Sequence, residues 1–455
     1  MHRKTKRNWF LNRKIKSFSN YLSRIVSEEH LESIARSSGF KKRKSAIAPK
    51  EFLDTVFFCN QTNSPSLSEY SIDLAQQGTH VSKQAIDKRF NEQTKSMLSN
   101  LLQDVMGHQL STKAEGNRYR SLFTDIRIMD SSEFNVSKRA AKVFPGYGGE
   151  GREAIVQIQF EYQLFGGKVT TLSIGSALDS DSTEGMKTID QIPAQTLLLR
   201  DLGYSSPKAF RELGSRGLYF ISRAKTQWNF YTFQDGQYHQ ITTANIIDRL
   251  KKSGNTYIDI EVFVGEQVRT PVRLIANLLS EEQKLKRLKK KSAKRKLGKD
   301  ALESIGLNLF VTNVEEHKCC AQEIYELYTL RWQVELVFKA WKSVMHVHKI
   351  HCMNPNRLEC IILIKLLWVM LNWSIVQCLK QITRMDLSYH KVMRTLLARS
   401  QSLSRAIMEN QEMFKRWLGQ LIEICKLHNV KEYKKQGNRI MEKIQYIRSK
   451  YVVCS

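Results

Sequence analysis

The chain has 455 residues, 42% hydrophobic and 25% charged, which is long enough for a sizeable core and two or three domains. Lys and Arg number 72 against 44 Asp and Glu, a formal net charge of +28 that selects polyanionic partners, either nucleic acid or an anionic membrane. Eight cysteines without a C-x-x-C pair, and an N-terminus without an apolar stretch, argue against a disulfide-framed secreted protein and suit a reducing cytosol.

Residues 1–44 hold 13 Lys or Arg against three Glu, with Trp9, Phe10, Phe18 and Tyr21 interleaved. Two readings stand for this stretch: an arm that grips DNA through cations and stacking rings, or a solvated tail. Residues 50–107 read as helices. Within them, Leu67–Gln77, a turn at Gly78, and a second helix capped by Ser82 and running to Phe90 have the outline of a helix-turn-helix. Ser82, Lys83, Gln84 and Lys88 would face a groove, with Ile86 and Phe90 inward. A purely structural helical pair is the alternative.

From about residue 120 the pattern changes to strands: Ile126–Met129, Ile155–Leu164 and Val169–Ser176, with a glycine-rich bend at Gly146–Gly151. A helix is expected over 183–196, then a short strand Leu197–Arg200, a helix Pro207–Leu213 and a strand Leu218–Ser222. Three antiparallel strands, a helix, a strand and a helix are the order of a ribonuclease-H-like core.

Residues 225–300 interrupt that order with alternating β-type segments, and close on Lys284–Lys299, where ten of sixteen residues are basic. That run reads as a phosphate-contacting arm, with a solvated helix or loop as the alternative. Leu307–Thr312 is a strand that re-enters the core. The apolar stretch Cys360–Leu379 approaches membrane-spanning length, but Lys365 and Asn372 near its middle favour a buried helix and no membrane. The expected fold class is therefore α/β. Its regions are helical DNA-binding (1–115), first core part (116–224), β-rich insertion (225–303), remaining core (304–380) and a helical C-terminal region (381–455).

The most specific pattern is Tyr328, Arg331, Glu335 and Lys342 within YTLRWQVELVFKAWK. At about 100° per helical residue, these four fall within roughly 60° of arc, apart from Leu327, Leu330, Val334, Val337, Phe338 and Trp341. A carboxylate flanked by two cations and a phenol suits a site for divalent metal and phosphate together. Trp332 lies on the polar side, where an indole is useful for stacking on a base. Two-metal phosphoryl transfer needs further carboxylates from other elements. Asp130 ends the apolar strand IRIM before Ser131 and Ser132, and Asp201 ends LLLR. Asp125, Asp179, Asp181 and Asp190 are rivals for these roles, and Glu323 and Glu326 are rivals for Glu335. His346, His348, His351 and Cys352 superficially resemble a zinc set without a second pair of ligands.

The spacing Tyr-x2-Arg-x3-Glu-x6-Lys, with Asp130 and Asp201, resembles the signature of insertion-sequence-four transposases that carry an Asp-Asp-Glu site. The likeness runs from about residue 50 to 380. It implies that Asp130, Asp201 and Glu335 are the catalytic, metal-binding residues, holding a pair of Mg²⁺ or Mn²⁺ ions. It also implies DNA contacts by Tyr328, Arg331, Trp332, Lys339 and Lys342, and cut-and-paste movement through nicking at terminal inverted repeats, a hairpin intermediate and strand transfer to target DNA. A homodimer on paired ends and a bacterial cytoplasmic location follow from the same likeness. Where some relatives carry a Trp at the head of the strand before the signature, this chain has Asn308; Trp228 and Phe310 are candidate substitutes. Two other functions compete: a metal-dependent nuclease without strand transfer, and a non-catalytic protein that occupies DNA repeats.

Overall fold

The computed structural model describes residues 15–43, 45–60, 65–109, 118–255, 257–293, 302 and 304–432. Ten strands build the frame: β1 (Ile126–Asn135), β2 (Ile155–Gln163), β3 (Val169–Ser176), β4 (Leu197–Arg200), β5 (Tyr219–Arg223), β6 (Phe230–Gln234), β7 (Gln237–Ile241), β8 (Tyr257–Val264), β9 (Thr270–Leu278) and β10 (Leu307–Thr312). All ten join one sheet in the order β3-β2-β1-β4-β5-β10-β9-β8-β6-β7. β1 is antiparallel to β2 and parallel to β4, and β4 is parallel to β5, so this half is mixed. β10 bonds to β5 on one side and to β9 on the other. The strands of residues 225–300 therefore lengthen the same sheet. Their terminal hairpin turns at Asp235-Gly236, both at positive φ, a residue pair suited to a tight two-residue β turn.

Register decides what each face carries, because paired residues share a side. Ile126, Ile128 and Asp130 share one face with Leu197, Leu199, Ile221, Phe310 and Ile275. These apolar residues belong to the larger core, which also takes in the helical N- and C-terminal regions. Leu198, Phe220, Val311, Leu274 and Val262 pack on the opposite face in a smaller core with helices Pro207–Ser215 and Thr243–Ser253.

The larger core is held by an aromatic box. Phe160 on β2 meets Trp341 at 4.9 Å, Trp373 at 5.5 Å and Phe338 at 6.1 Å between ring centres, each edge to face. Phe160 is the cross-strand partner of Asp130, so this box fixes the helix Trp332–Ser343 to the strand that carries Asp130. Helix Pro355–Thr383 runs through the same core; it is long and apolar enough to cross a membrane, but 89% of its most apolar window is buried inside the protein.

Several sequence expectations are corrected here. Residues 15–25 and Glu28–Ser37 are helical, and Phe18 is fully buried, 6.0 Å from Phe414, while the Tyr21 hydroxyl donates to the Val105 carbonyl at 3.1 Å. Neither ring is available for stacking, because both lie on the face of this helix that packs on the larger core; Trp9 and Phe10 lie outside the described residues. The helix expected over 183–196 is only Asp181–Lys187 with a 3₁₀ turn Ile189–Gln191, since Pro193 disfavours helical backbone just before it. Strand β1 continues past Met129 to Asn135, because β2 keeps pairing with it.

The helical pair between residues 66 and 90 forms largely as expected. Ser66 and Glu69 make a capping box on helix Leu67–Gln76, Gly78 turns at φ +92°, and the Ser82 side chain caps Lys83–Asp87. Ile86 and Phe90 are buried, while Ser82, Lys83, Gln84 and Lys88 are exposed. The second helix stops at Asp87 rather than Phe90, because Asn91 caps the next helix, Glu92–Gly107.

Lys365 is 1% exposed, and its ammonium donates to the Asn60 carbonyl at 3.0 Å. Burial pushes its pKa down to about 8. The folded chain thus binds this proton less tightly than the unfolded one, so stability from this group rises as pH climbs from about 8 toward the ordinary lysine value. Lys365→Met removes that slope. In urea titrations, wild type should gain about 3 kcal/mol relative to Lys365→Met between pH 7 and pH 10.5; a pH-independent difference would mean the buried amine does not titrate as described.

Candidate active site

Parallel pairing of β1 with β4 ends at Met129 and Arg200, after which β4 leaves the sheet for the 3₁₀ turn Leu202–Tyr204. Asp130 and Asp201 therefore stand side by side where two parallel strands part, the crevice in which open α/β sheets bind ligands. The strands are braced from the opposite face. Glu161 is fully buried and accepts from Arg127 at 3.3 Å and from Arg200 at 3.1 Å, tying the residue before Asp201 to the strand that carries Asp130.

The signature segment is not one helix. It divides into Ala321–Thr329 and Trp332–Ser343. Between them Leu330, Arg331, Gln333 and Val334 each donate a backbone N–H three residues back, at 3.0–3.1 Å. This tighter 3₁₀ winding breaks the uniform 100° step on which the wheel arithmetic relied. The apolar arc is buried as expected, with Leu327, Leu330, Val334, Val337, Phe338 and Trp341 in the core.

The turn delivers Arg331 to the middle of the crevice. Its guanidinium lies 2.9 Å from Asp130 Oδ2, 2.6 Å from Glu335 Oε1 and 3.8 Å from Asp201 Oδ1. The three predicted carboxylates, from two strands and a helix, thus meet on one cation. The Tyr328 hydroxyl reaches to 3.5 Å from Asp201 Oδ1, and burial holds its pKa well above the ordinary range, so it stays a donor. Burial alone would lower the Arg331 pKa, but Tyr328, Asp201 and Asp130 outweigh it and hold it above the ordinary value. Asp130 is the deepest of the three acids. Burial first, then the charges of Asp201 and Glu335, push its pKa to about 6 against the opposing pull of Arg331.

Three carboxylates share one cation, so the site carries an excess of negative charge on oxygen donors, the donor chemistry of a hard divalent ion. Among the described residues, however, no three His, Cys, Asp or Glu side chains are spaced to hold a metal ion together, the histidines near residue 348 included. Here Arg331 stands where the sequence expectation put metal. Asp130, Asp201 and Glu335 fit such an ion chemically, provided that the guanidinium swings away from them.

The remaining predicted residues separate by exposure. Trp332 is 55% exposed, and Lys339 is exposed on the same helix. Lys342 is half-buried and donates to the Glu133 carbonyl at 3.0 Å, so it braces the far end of β1. Four of the rivals are engaged with other groups. Glu323 is buried against Arg118, Tyr119 and the Cys320 N–H; Asp125 accepts from the Ile126 N–H; Asp181 accepts from Gln157 and Gln159; Asp190 pairs with Arg216. Trp228 packs edge to face on Phe210 at 5.7 Å and Phe310 on Tyr328 at 5.2 Å, so both proposed stand-ins for an aromatic at Asn308 are committed to packing.

Sequence reasoning missed the floor of the adjoining cleft. An open hollow of about 750 Å³ runs from Tyr328 and Arg331 past Trp332 to Arg223, Arg287 and Asn308. Arg223 ends β5 and Arg287 comes from helix Glu281–Ser292, in the described part of the basic run. No motif links these positions; only the sheet register brings them together.

The raised Asp130 pKa fixes a sign. Its folded value lies above the ordinary one, so stability from this group is present at low pH and is lost as pH rises through about 6. Without divalent ions, Asp130→Asn should match wild type below pH 4 and exceed it by up to about 3 kcal/mol at pH 7. Added Mg²⁺ should raise the melting temperature of wild type and not that of the variant. Identical pH profiles for the two proteins would contradict the crowding of carboxylates.

Comparison with known proteins gives a consistent match. The family model described as a transposase DDE domain matches residues 121–371. The transposase for insertion sequence element IS231C of Bacillus thuringiensis subsp. berliner is 30% identical over 460 aligned residues, covering 96% of each chain. That for IS231F of Bacillus thuringiensis subsp. israelensis is 31% identical, covering 90% of this chain and 91% of the relative. That for IS1151 of Clostridium perfringens is 27% identical, covering 96% and 98%. Among solved structures, the piggyBac transposase synaptic complex with hairpin DNA superposes with a TM-score of 0.43 and 11% identity, over 93% of this chain and 87% of that one.

Proposed function

The chain belongs to the DDE transposase family, of the insertion-sequence-four type, and from that premise we propose that it moves its element by cut-and-paste chemistry on DNA. The observation that carries the proposal is the convergence of Asp130, Asp201 and Glu335 on Arg331. Passive DNA binding needs no such meeting of acids from two strands and a helix. We take the half-sheet β3-β2-β1-β4-β5 with β10 as a ribonuclease-H-like core, and the strands of residues 225–303 as its insertion.

In this reading Asp130, Asp201 and Glu335 hold divalent ions. A bound pair of Mg²⁺ or Mn²⁺ supplies Lewis-acid activation of the attacking oxygen and neutralisation of the leaving one. Arg331 keeps the carboxylates together before DNA arrives, then turns its planar fork to a phosphate. The Tyr328 hydroxyl, held protonated, donates to a phosphate oxygen next to Asp201. Lys339 adds a cation on the exposed side of the helix, and Lys342 holds β1 in place beside it. Trp332 offers an exposed ring to a base displaced from the duplex, as a hairpin intermediate requires. Lys83, Gln84 and Lys88 read the terminal inverted repeats, and two copies assemble on paired ends in the bacterial cytoplasm.

The test uses the purified full chain, Mg²⁺, and DNA bearing the inverted repeats that flank the coding region. Nicks, hairpins and joined products are expected. Nicks without joining would favour a nuclease, and a mobility shift without cleavage a repeat-binding protein. Asp130→Ala, Asp201→Ala and Glu335→Ala should each abolish cleavage while leaving the shift intact. Loss of binding and fold together would mark these acids as structural and overturn the assignment. Lys83→Ala with Lys88→Ala should weaken binding to the repeats and leave the Mg²⁺ requirement unchanged.

A further inference from the structure

A second polar cluster lies behind the acids, on the face of the sheet away from the aromatic box. Gln157 and Gln159 are buried there on β2, opposite to Phe160, and Ser131 is the cross-strand partner of Gln159. Asp181, which begins helix Asp181–Lys187, meets both amides. Its Oδ1 accepts from Gln159 Nε2 at 3.0 Å and from Gln157 Nε2 at 3.2 Å. Gln159 also donates to Gln157 Oε1 at 3.1 Å, and its own Oε1 accepts from the buried Tyr204 hydroxyl. That hydroxyl meets the Ser131 side chain as well. The helix and the turn after Asp201 approach closely: a Cβ on Gly203 would lie 2.7 Å from Asp181 Oδ2, and one on Gly185 would lie 2.8 Å from the Tyr204 ring. Tyr204 closes the 3₁₀ turn by donating its N–H to the Asp201 carbonyl at 3.1 Å. Whatever fixes Tyr204 therefore fixes Asp201.

We infer that Asp181 is a positioning residue for the metal-binding acids, acting through Gln159 and Tyr204 on the turn that carries Asp201, a role that rests on the transposase reading. A carboxylate accepts and cannot donate, so Asp181 decides which end of each glutamine amide faces it. With its nitrogen turned to Asp181, Gln159 presents its oxygen to Tyr204. The hydrogen bonds from Tyr204 to Gln159 and from Gln159 to Asp181 thus run in one direction. Without the carboxylate, two buried amides lose their common acceptor and are free to turn, and Tyr204 loses its fixed partner. The 3₁₀ turn then loosens, and Asp201 no longer stands at a set distance from Asp130. Outer partners that orient the donors of a metal site act on its affinity for the ion, so the loss appears there first.

The experiment titrates Mg²⁺ against the full chain and reads the rise in melting temperature, with cleavage of repeat-end DNA followed over the same concentrations. Asp181→Ala should need about tenfold more Mg²⁺ for half of the thermal shift and for half-maximal cleavage. Its cleavage rate at saturating Mg²⁺ and its metal-free mobility shift on repeat ends should stay near those of wild type. Tyr204→Phe keeps the ring and removes only the hydroxyl, so it should raise the Mg²⁺ requirement in the same direction even where Asp181→Ala folds poorly. Gly203→Ala pushes the Asp181 carboxylate aside; it should raise the requirement in wild type and add nothing to Asp181→Ala. A lower metal-free melting temperature with an unchanged Mg²⁺ midpoint, in both Asp181→Ala and Tyr204→Phe, would mark the cluster as ordinary core and overturn the role. Additive effects of Gly203→Ala and Asp181→Ala, or weaker DNA binding at an unchanged midpoint, overturn it as well. If wild type responds to Mg²⁺ and cleaves while the variants match it, only the positioning role fails. If wild type shows neither a Mg²⁺ shift nor cleavage, the transposase reading fails with it.

Discussion

Three carboxylates around one guanidinium organise this protein. Each acid alone would be an ordinary exposed or strand-end residue. Brought together they repel, and Asp130 takes the strain as the deepest of the three. Everything nearby serves to keep them together regardless. The aromatic box of Phe160, Phe338, Trp341 and Trp373 clamps helix Trp332–Ser343 to β1, and Glu161 ties β1 to the end of β4 from behind. Apolar packing and a buried ion network on opposite faces of the sheet thus hold charges that would otherwise part. A site of this kind is built to accept more positive charge than the chain itself provides, and the conformation seen here is the one in which Arg331 supplies what it can.

How much of this was legible in the sequence follows from how local each signal is. Strands Val169–Ser176, Leu197–Arg200 and Leu307–Thr312 are bounded as read, since apolar runs between turn residues need no distant partner to be recognised. Strand position and helix spacing point to the acids at 130, 201 and 335, and in the structure these three side chains lie around Arg331. Failures came where tertiary pairing overrides local pattern. β1 runs on through Asp130 because β2 supplies partners. Phe18 and Tyr21 looked like free rings in a basic arm because their partners, Phe414 and the Val105 carbonyl, lie far along the chain. The winding change at Leu330 was invisible, because every residue from Tyr325 to Phe338 is compatible with an unbroken helix. Arg223, Arg287 and Asn308 come from three separate elements, and no spacing rule relates them.

The buried polar groups show the same lesson from the other side. Lys365 and Asn372 in the long apolar helix are both satisfied inside the protein, by the Asn60 carbonyl and the Trp368 carbonyl. A lysine in that position ties the N-terminal helices to the long helix Pro355–Thr383 at an electrostatic cost. The helical region that carries Lys83 and Lys88 is for this reason not an independent module on a tether. It shares a core with the helix behind the acids.

The continuity of the ten-stranded sheet has a consequence for how the chain tolerates loss. Residues 225–303 lie between β5 and β10 in sequence, and among the described residues their strand β9 is the neighbour of β10 on that side. Excising the segment would leave β10 as an open edge, with a row of bare amide donors and carbonyls beside Phe310, the ring against which Tyr328 rests. The segment seals the sheet on this side, and its removal would invite other chains to pair where the protein now pairs with itself.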